Sequence, residues 1–249
     1  MTEEFVHMFN NAMQEWDEAV KQQDMNKFNN TISFMLMAIK KAPEPNAIIH
    51  SNLAMIYYDA AICQAQQPGR RVEKMAENLI NKAINEANTA LKIEPLSFNS
   101  QLVKTYIAAD NILHIPGGAS NLVPKNGLSA AGVTEFFVRA GSMGVAASKV
   151  GVSQAKFKSE VKRLLEIFDS LFSEYYLQAT DYIDYSNRLF SIADFCTNSK
   201  LAGAKDIFTS LMNVVVDDLK YDDLTEEDKN LVEQEVYRIR ALAEGRLMM

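Results

Sequence analysis

The sequence predicts an all-α protein built of helix hairpins, and three observations carry that prediction. Apolar residues make up 48% of the 249 residues, while glycine (10) and proline (6) are scarce. That balance favours helix over sandwich or barrel. Apolar positions recur at spacings of three and four along most of the chain, the period of one helix face. Prolines fall where those stripes stop, at Pro43, Pro45, Pro68 and Pro95.

The first helix is expected over Phe5 to Val20, where Phe5, Phe9, Ala12, Trp16 and Ala19 form one stripe. Trp16 sits in that stripe and reads as core. A second helix starts near Asn26 with Phe28, Ile32, Met35 and Ile39 on one face. Pro43 and Pro45 stop it, because proline lacks an amide donor and disfavours helix in the residue before it. The third carries Ile49, Leu53, Ile56, Ala60 and Cys63 in register and ends at Gln66-Gln67-Pro68-Gly69. The fourth carries Val72, Met75, Leu79, Ala83, Ala87, Ala90 and Ile93 and ends at Pro95. A fifth spans about Ser97 to Leu113 and includes Leu102, Tyr106 and Ala109.

Two pieces of this half match each other. Ala38-Ile39-Lys40-Lys41-Ala42-Pro43 is followed by Asn52-Leu53-Ala54-Met55-Ile56-Tyr57. Ala90-Leu91-Lys92-Ile93-Glu94-Pro95 is followed by Leu102-Val103-Lys104-Thr105-Tyr106. The pattern resembles the tetratricopeptide repeat: a small/large/small helix, a closing proline, then a helix with Leu and Tyr four apart. It departs from that family in having Ala54 and Val103 where glycine is preferred. Pro43 and Pro95 lie 52 residues apart, against a repeat of about 34. The unbroken stripes on both sides of Pro68-Gly69 assign the excess to two lengthened helices. Nine extra residues per arm would project roughly 13 Å beyond an ordinary repeat. The resemblance implies a right-handed solenoid over residues 1–115, with a concave face lined by the first helix of each hairpin.

From His114 to Gly151 the composition changes, with Gly117, Gly118, Gly127, Gly132, Gly141, Gly144 and Gly151 in one stretch. Residues 116–151 therefore read as a glycine-rich connection with a short helix over Thr134 to Lys149. Residues 152–249 read as C-terminal helical hairpins packed on the repeats. Ser153 is expected as an N-cap, ahead of a stripe of Val161, Leu164, Phe168, Leu171 and Tyr175. Further helices are expected over about Asp181–Cys196 and Leu201–Val216. Another begins at Thr225-Glu226-Glu227-Asp228, where early acids suit the helix dipole.

Composition excludes several function classes. The net charge of −7 argues against a nucleic-acid binder, since phosphate neutralisation needs a basic face. Charge is uneven, however. Arg139 to Arg163 contains Lys149, Lys156, Lys158 and Lys162 against Glu160 alone, whereas Asp217 to Glu235 is acidic with two lysines. Cys63 and Cys196 lie far apart, as expected of buried thiols in a reducing compartment. The acidic start Met1-Thr2-Glu3-Glu4 is unlike a secretory signal, and no apolar run approaches the roughly 20 residues of a membrane span. A cytoplasmic location is expected.

Nothing in the sequence assembles an enzyme. His7, His50 and His114 are isolated, and Asp181, Asp184 and Asp194 need partners elsewhere to hold a metal. Arg139-Ala140-Gly141-Ser142-Met143-Gly144 lacks the Gly-Lys-Ser/Thr ending of a phosphate loop. No catalytic residue, cofactor or metal is expected. The resemblance implies a scaffold or adaptor that binds a protein segment. Its groove would be lined by Asn52, Met55, Tyr58 and Asp59 of the third helix and Gln101, Lys104 and Thr105 of the fifth. Asn52 and Gln101 could bond a peptide backbone, and Lys104 could meet a carboxylate. Two alternatives remain: a small-molecule or lipid binder with its pocket near the glycine-rich middle, and a self-assembling structural protein.

Overall fold

The computed structural model describes residues 3–66, 70–113, 150–174, 183–185, 187–190, 192, 209 and 225–247. All regular structure among these residues is α-helical. Seven long helices are described: α1 (Glu3–Gln22), α2 (Met25–Lys41), α3 (Ala47–Ala65), α4 (Arg70–Ile93), α5 (Phe98–Leu113), α6 (Val150–Glu174) and α7 (Glu226–Leu247). The glycine-rich stretch from His114 to Lys149 lies outside the described residues. So do most of the helices expected over 181–196 and 201–216, although residues 183–185, 187–190, 192 and 209 are helical.

The chain divides into two compact units. One comprises residues 1–127 and 145–164, the other 128–144 and 165–249.

In the first unit each helix boundary has a local cause. The α1–α2 corner uses two residues. Gln23 takes a left-handed backbone (φ 53°), and the Asp24 amide donates back to the Ala19 carbonyl at 3.3 Å, the bond of a Schellman cap. Asp24 is also the N-cap of α2, its side chain accepting from the Asn26 amide at 2.8 Å. Lys41 pairs with Glu4 at 3.1 Å and Lys27 with Glu18, so the two helices run antiparallel. α2 stops at Ala42, whose backbone is extended before Pro43, as the proline ring demands. Asn46 caps α3 by accepting from the Ile48 and Ile49 amides.

Packing follows the apolar stripes only in part: Met75 and Ile93 of the α4 stripe are exposed, Thr31 and Ala38 rather than Ile32 and Ile39 are buried on α2, and one helix is an exception altogether. α1 buries Phe5, Ala12 and Ala19, and α2 buries Phe28, Thr31, Met35 and Ala38. α4 buries only alanines among its described side chains, Ala76, Ala83, Ala87 and Ala90, and lies close against α3 along that seam. Removing each side chain beyond Cβ lets two helix backbones approach without a layer of larger groups between them. The exception is α3, where every residue from Leu53 to Ala65 is buried. α3 touches α1, α2, α4 and α5. The stretch of α4 from Arg71 to Leu79 is continuous helix.

α6 carries a buried stripe of Phe157, Val161, Leu164, Ile167 and Phe168. It begins at Val150, three residues before the expected cap, so Ser153 is an interior residue of the first turn. In the second unit, Thr225 caps α7: its hydroxyl accepts from the Asp228 amide at 3.2 Å and donates to the Asp228 carboxylate at 2.8 Å. The Thr-Glu-Glu-Asp run thus starts a helix where the sequence places one.

Candidate partner-binding site

The seven residues read as groove-lining divide between α3 and α5, and most of them are not on an open surface. Met55, Tyr58 and Asp59 of α3 are buried, as are Gln101 and Thr105 of α5. Asn52 is half-buried, and the Lys104 side chain retains 25% of its exposure. The expectation that all seven face outward is corrected for those five. On α3 the reason is its composition. Ala47–Ala65 is apolar around nearly its whole circumference, and such a helix is stable only when enclosed on every side.

The enclosed polar groups of α3 are matched to neighbours. The Trp16 indole of α1 donates to Asp59 Oδ2 at 2.9 Å, which places a polar anchor between α1 and α3. Tyr58 stacks on Tyr106 of α5, ring centroids 5.8 Å apart. Ser51 meets Ser97 at 3.4 Å, and Ser97 pairs with Ser100 at 2.9 Å at the start of α5. Trp16 is thus half-buried rather than enclosed in the core, with its indole donor satisfied.

On α5 the reason is α6. Gln101 Nε2 donates both to the Glu160 main-chain carbonyl at 3.0 Å and to Glu160 Oε2 at 2.7 Å. Lys104 Nζ stands 3.6 Å from the same carboxylate oxygen. The Thr105 hydroxyl donates to the Gln101 carbonyl at 2.9 Å and reaches the Glu160 carbonyl at 3.5 Å. Arg163 Nη2 donates to the Pro95 carbonyl at 3.4 Å. Later residues of α6 therefore meet earlier residues near α5, the sense of an antiparallel pair. The three α5 residues that look suited to a peptide are used on a helix of the same chain.

A second polar row lies where α3 meets α4. His50 Nδ1 and Glu86 Oε2 are 2.6 Å apart, with side chains 16% and 23% exposed. Lys82 Nζ sits 5.4 Å from the centre of the Tyr57 ring. Burial pushes the Tyr57 hydroxyl pKa up, and the Glu86 charge adds to the shift. In the sequence His50 reads as isolated. Its partner is 36 residues away on the antiparallel arm, a distance that no local motif encodes.

Cys63 is buried, as expected, and is a free thiol. Its thiol donates to the Gln23 carbonyl at 3.2 Å. Burial, reinforced by the Asp24 charge, pushes its pKa up to about 11, so it is a poor nucleophile. Cys196, His114, Asp181, Asp194 and the Arg139–Gly144 turn lie outside the described residues. Asp184 pairs with Arg188 at 2.8 Å. Among the described residues no group of three or more His, Cys, Asp or Glu could hold a metal, and no helix is long and apolar enough to cross a membrane. No family, no curated protein and no solved structure matches the chain.

Proposed function

We propose that this chain is a non-catalytic, tetratricopeptide-like scaffold whose first 115 residues form stacked helix hairpins and bind a protein segment. The observation that supports the reading is the order of helix contacts. Successive helices pack on one another from α1 to α5, and alternate helices also touch, α1 with α3 and α3 with α5. Stacked hairpins produce that order, because the first helix of each hairpin leans on the first helix of the next. Burial of the residues that carry the resemblance also supports the reading: Ala38, Ala54, Ala83, Ala87 and Ala90 are fully buried, and Tyr57 and Tyr106 nearly so.

On this reading the partner contact is narrower than seven residues. Asn52 keeps part of its side chain at the surface, as does Lys104 beside Glu160. Asn52 is the cleaner probe, because losing Lys104 also disturbs the α5–α6 seam. Asn52→Ala is expected to weaken partner capture from native lysate with the melting temperature nearly unchanged. Equal capture by Asn52→Ala and the parent protein removes the proposed contact.

A further inference from the structure

We propose that the first half of α6 is a docking surface for an acidic segment, supplied by the start of α7 in a second copy of this chain. Lys156, Lys158, Lys162 and Arg163 are all exposed. The one acid among them, Glu160, is turned away. Its side chain is 15% exposed and is held by Gln101 and Lys104 of α5. In a protein of net charge −7, the charged and exposed side chains from Lys156 to Arg163 are thus all cationic.

The order of charge along α6 points the same way. Its first turn contains no acid, its cations lie in the N-terminal half, and Glu166, Asp169 and Glu174 follow in the C-terminal half. The basic and acidic stretches of α6 are thus separated along the helix. α7 shows the reverse order, with Glu226, Glu227 and Asp228 in its first turn.

The patch also selects its partner. Eight residues from Lys156 to Arg163 cover roughly 12 Å of helix, after which Glu166 and Asp169 stand exposed. A nucleic acid or an anionic bilayer extends its charge well past that length and would meet those carboxylates and the acidic remainder of the protein. A short acidic segment need cover only the basic half. The start of α7 is such a segment: Glu226, Glu227, Asp228, Glu233 and Glu235 stand against Lys229 alone, and Glu226, Glu227 and Glu233 are exposed. Contacts between solvated charges are weak singly and screened by salt, so the association is modest and dissolves at high ionic strength.

Sedimentation velocity of the full chain over a wide concentration range, at low and high salt, tests this. The expected result is reversible self-association at low salt that high salt abolishes. Reversing Lys156, Lys158 and Lys162 to Glu should abolish it, as should Glu227→Lys with Glu233→Lys. Mixing the two reversed proteins should restore a complex, with helix content by circular dichroism unchanged throughout. A parent protein that stays monomeric at low salt overturns the proposal. So does association that survives both reversals, or a basic patch that instead takes up RNA or anionic vesicles.

Discussion

α3 and α4 are the two arms of one hairpin, and they solve the burial problem in opposite ways. α3 places side chains of every size on every side and is enclosed from Leu53 to Ala65. Among its described side chains, α4 fully buries only the methyl groups of Ala76, Ala83, Ala87 and Ala90, and leaves Met75, Glu77, Asn78, Asn81, Lys82 and Asn85 outside. One helix contributes volume and the other contributes proximity. The same kind of substitution should therefore have different consequences on the two arms.

The largest contrast is expected from truncation. Ile56→Ala on α3 removes a fully buried side chain and should cost about 2–5 kcal/mol, through lost burial and the cavity left behind. Met75→Ala on α4, where the residue is 53% exposed, should change stability by less than about 0.5 kcal/mol. Denaturant melts of the pair would blur the contrast if the two losses came out equal.

Enlargement reverses the arms. Ala83 is fully buried in the seam, and Ala83→Leu should cost about 1–3 kcal/mol by forcing the helices apart. Lys82→Leu, one position away on an exposed part of α4, should cost far less. A melt in which Ala83→Leu is neutral would mean that α4 is not held close against α3.

A smaller effect follows from the thiol at the end of α3. Cys63 has its folded pKa raised from 9.0 to about 11, so the folded state holds its proton more tightly than the unfolded chain does. The corresponding stability is fully present below pH 9 and is lost as pH rises through about 11. Cys63→Ala should flatten that alkaline decline, although Tyr57, also raised by burial, will leave part of it. Stability measured from about pH 8 upward checks the difference, and identical alkaline limbs for the two proteins would exclude a role for the thiol.

The smallest effect belongs to the α1–α2 corner. Gln23 adopts a left-handed backbone that costs other residues roughly 1 kcal/mol relative to glycine. Gln23→Gly gives up side-chain bonds to Val20 and Gln66, so a gain below about 1 kcal/mol is expected. A clear loss in chemical melts would show that those bonds outweigh the backbone relief.

The helices of the first unit are legible in the sequence because proline, capping and periodicity act within a few residues. Pro43 ends α2 and the alanines of α4 mark a real seam, and in the second unit Thr225 sits at a real cap; the Asn46 cap of α3 is equally local but is not among the expected caps. What stays hidden involves distant partners. Gln101 and Glu160 meet across 59 residues of chain, and His50 and Glu86 across 36. One failure has a visible signal. Ala47–Ala65 lacks a polar face, and reading its stripe as one side of an amphipathic helix assigns Met55 and Tyr58 to a surface that this composition does not supply. Ser153 misleads because a good capping residue is also tolerated within the first turn.

The corner at Gln23 and Asp24 leaves no slack between two helices, since Asp24 finishes one cap and starts the next. A residue inserted inside α2 after that joint would turn everything beyond it by about 100°. Phe28, Met35 and Ala38 would then swing off the core while their polar neighbours swung in. Lengthening there acts like moving a gear by one tooth, and this turn should tolerate changes of residue type far better than changes of length.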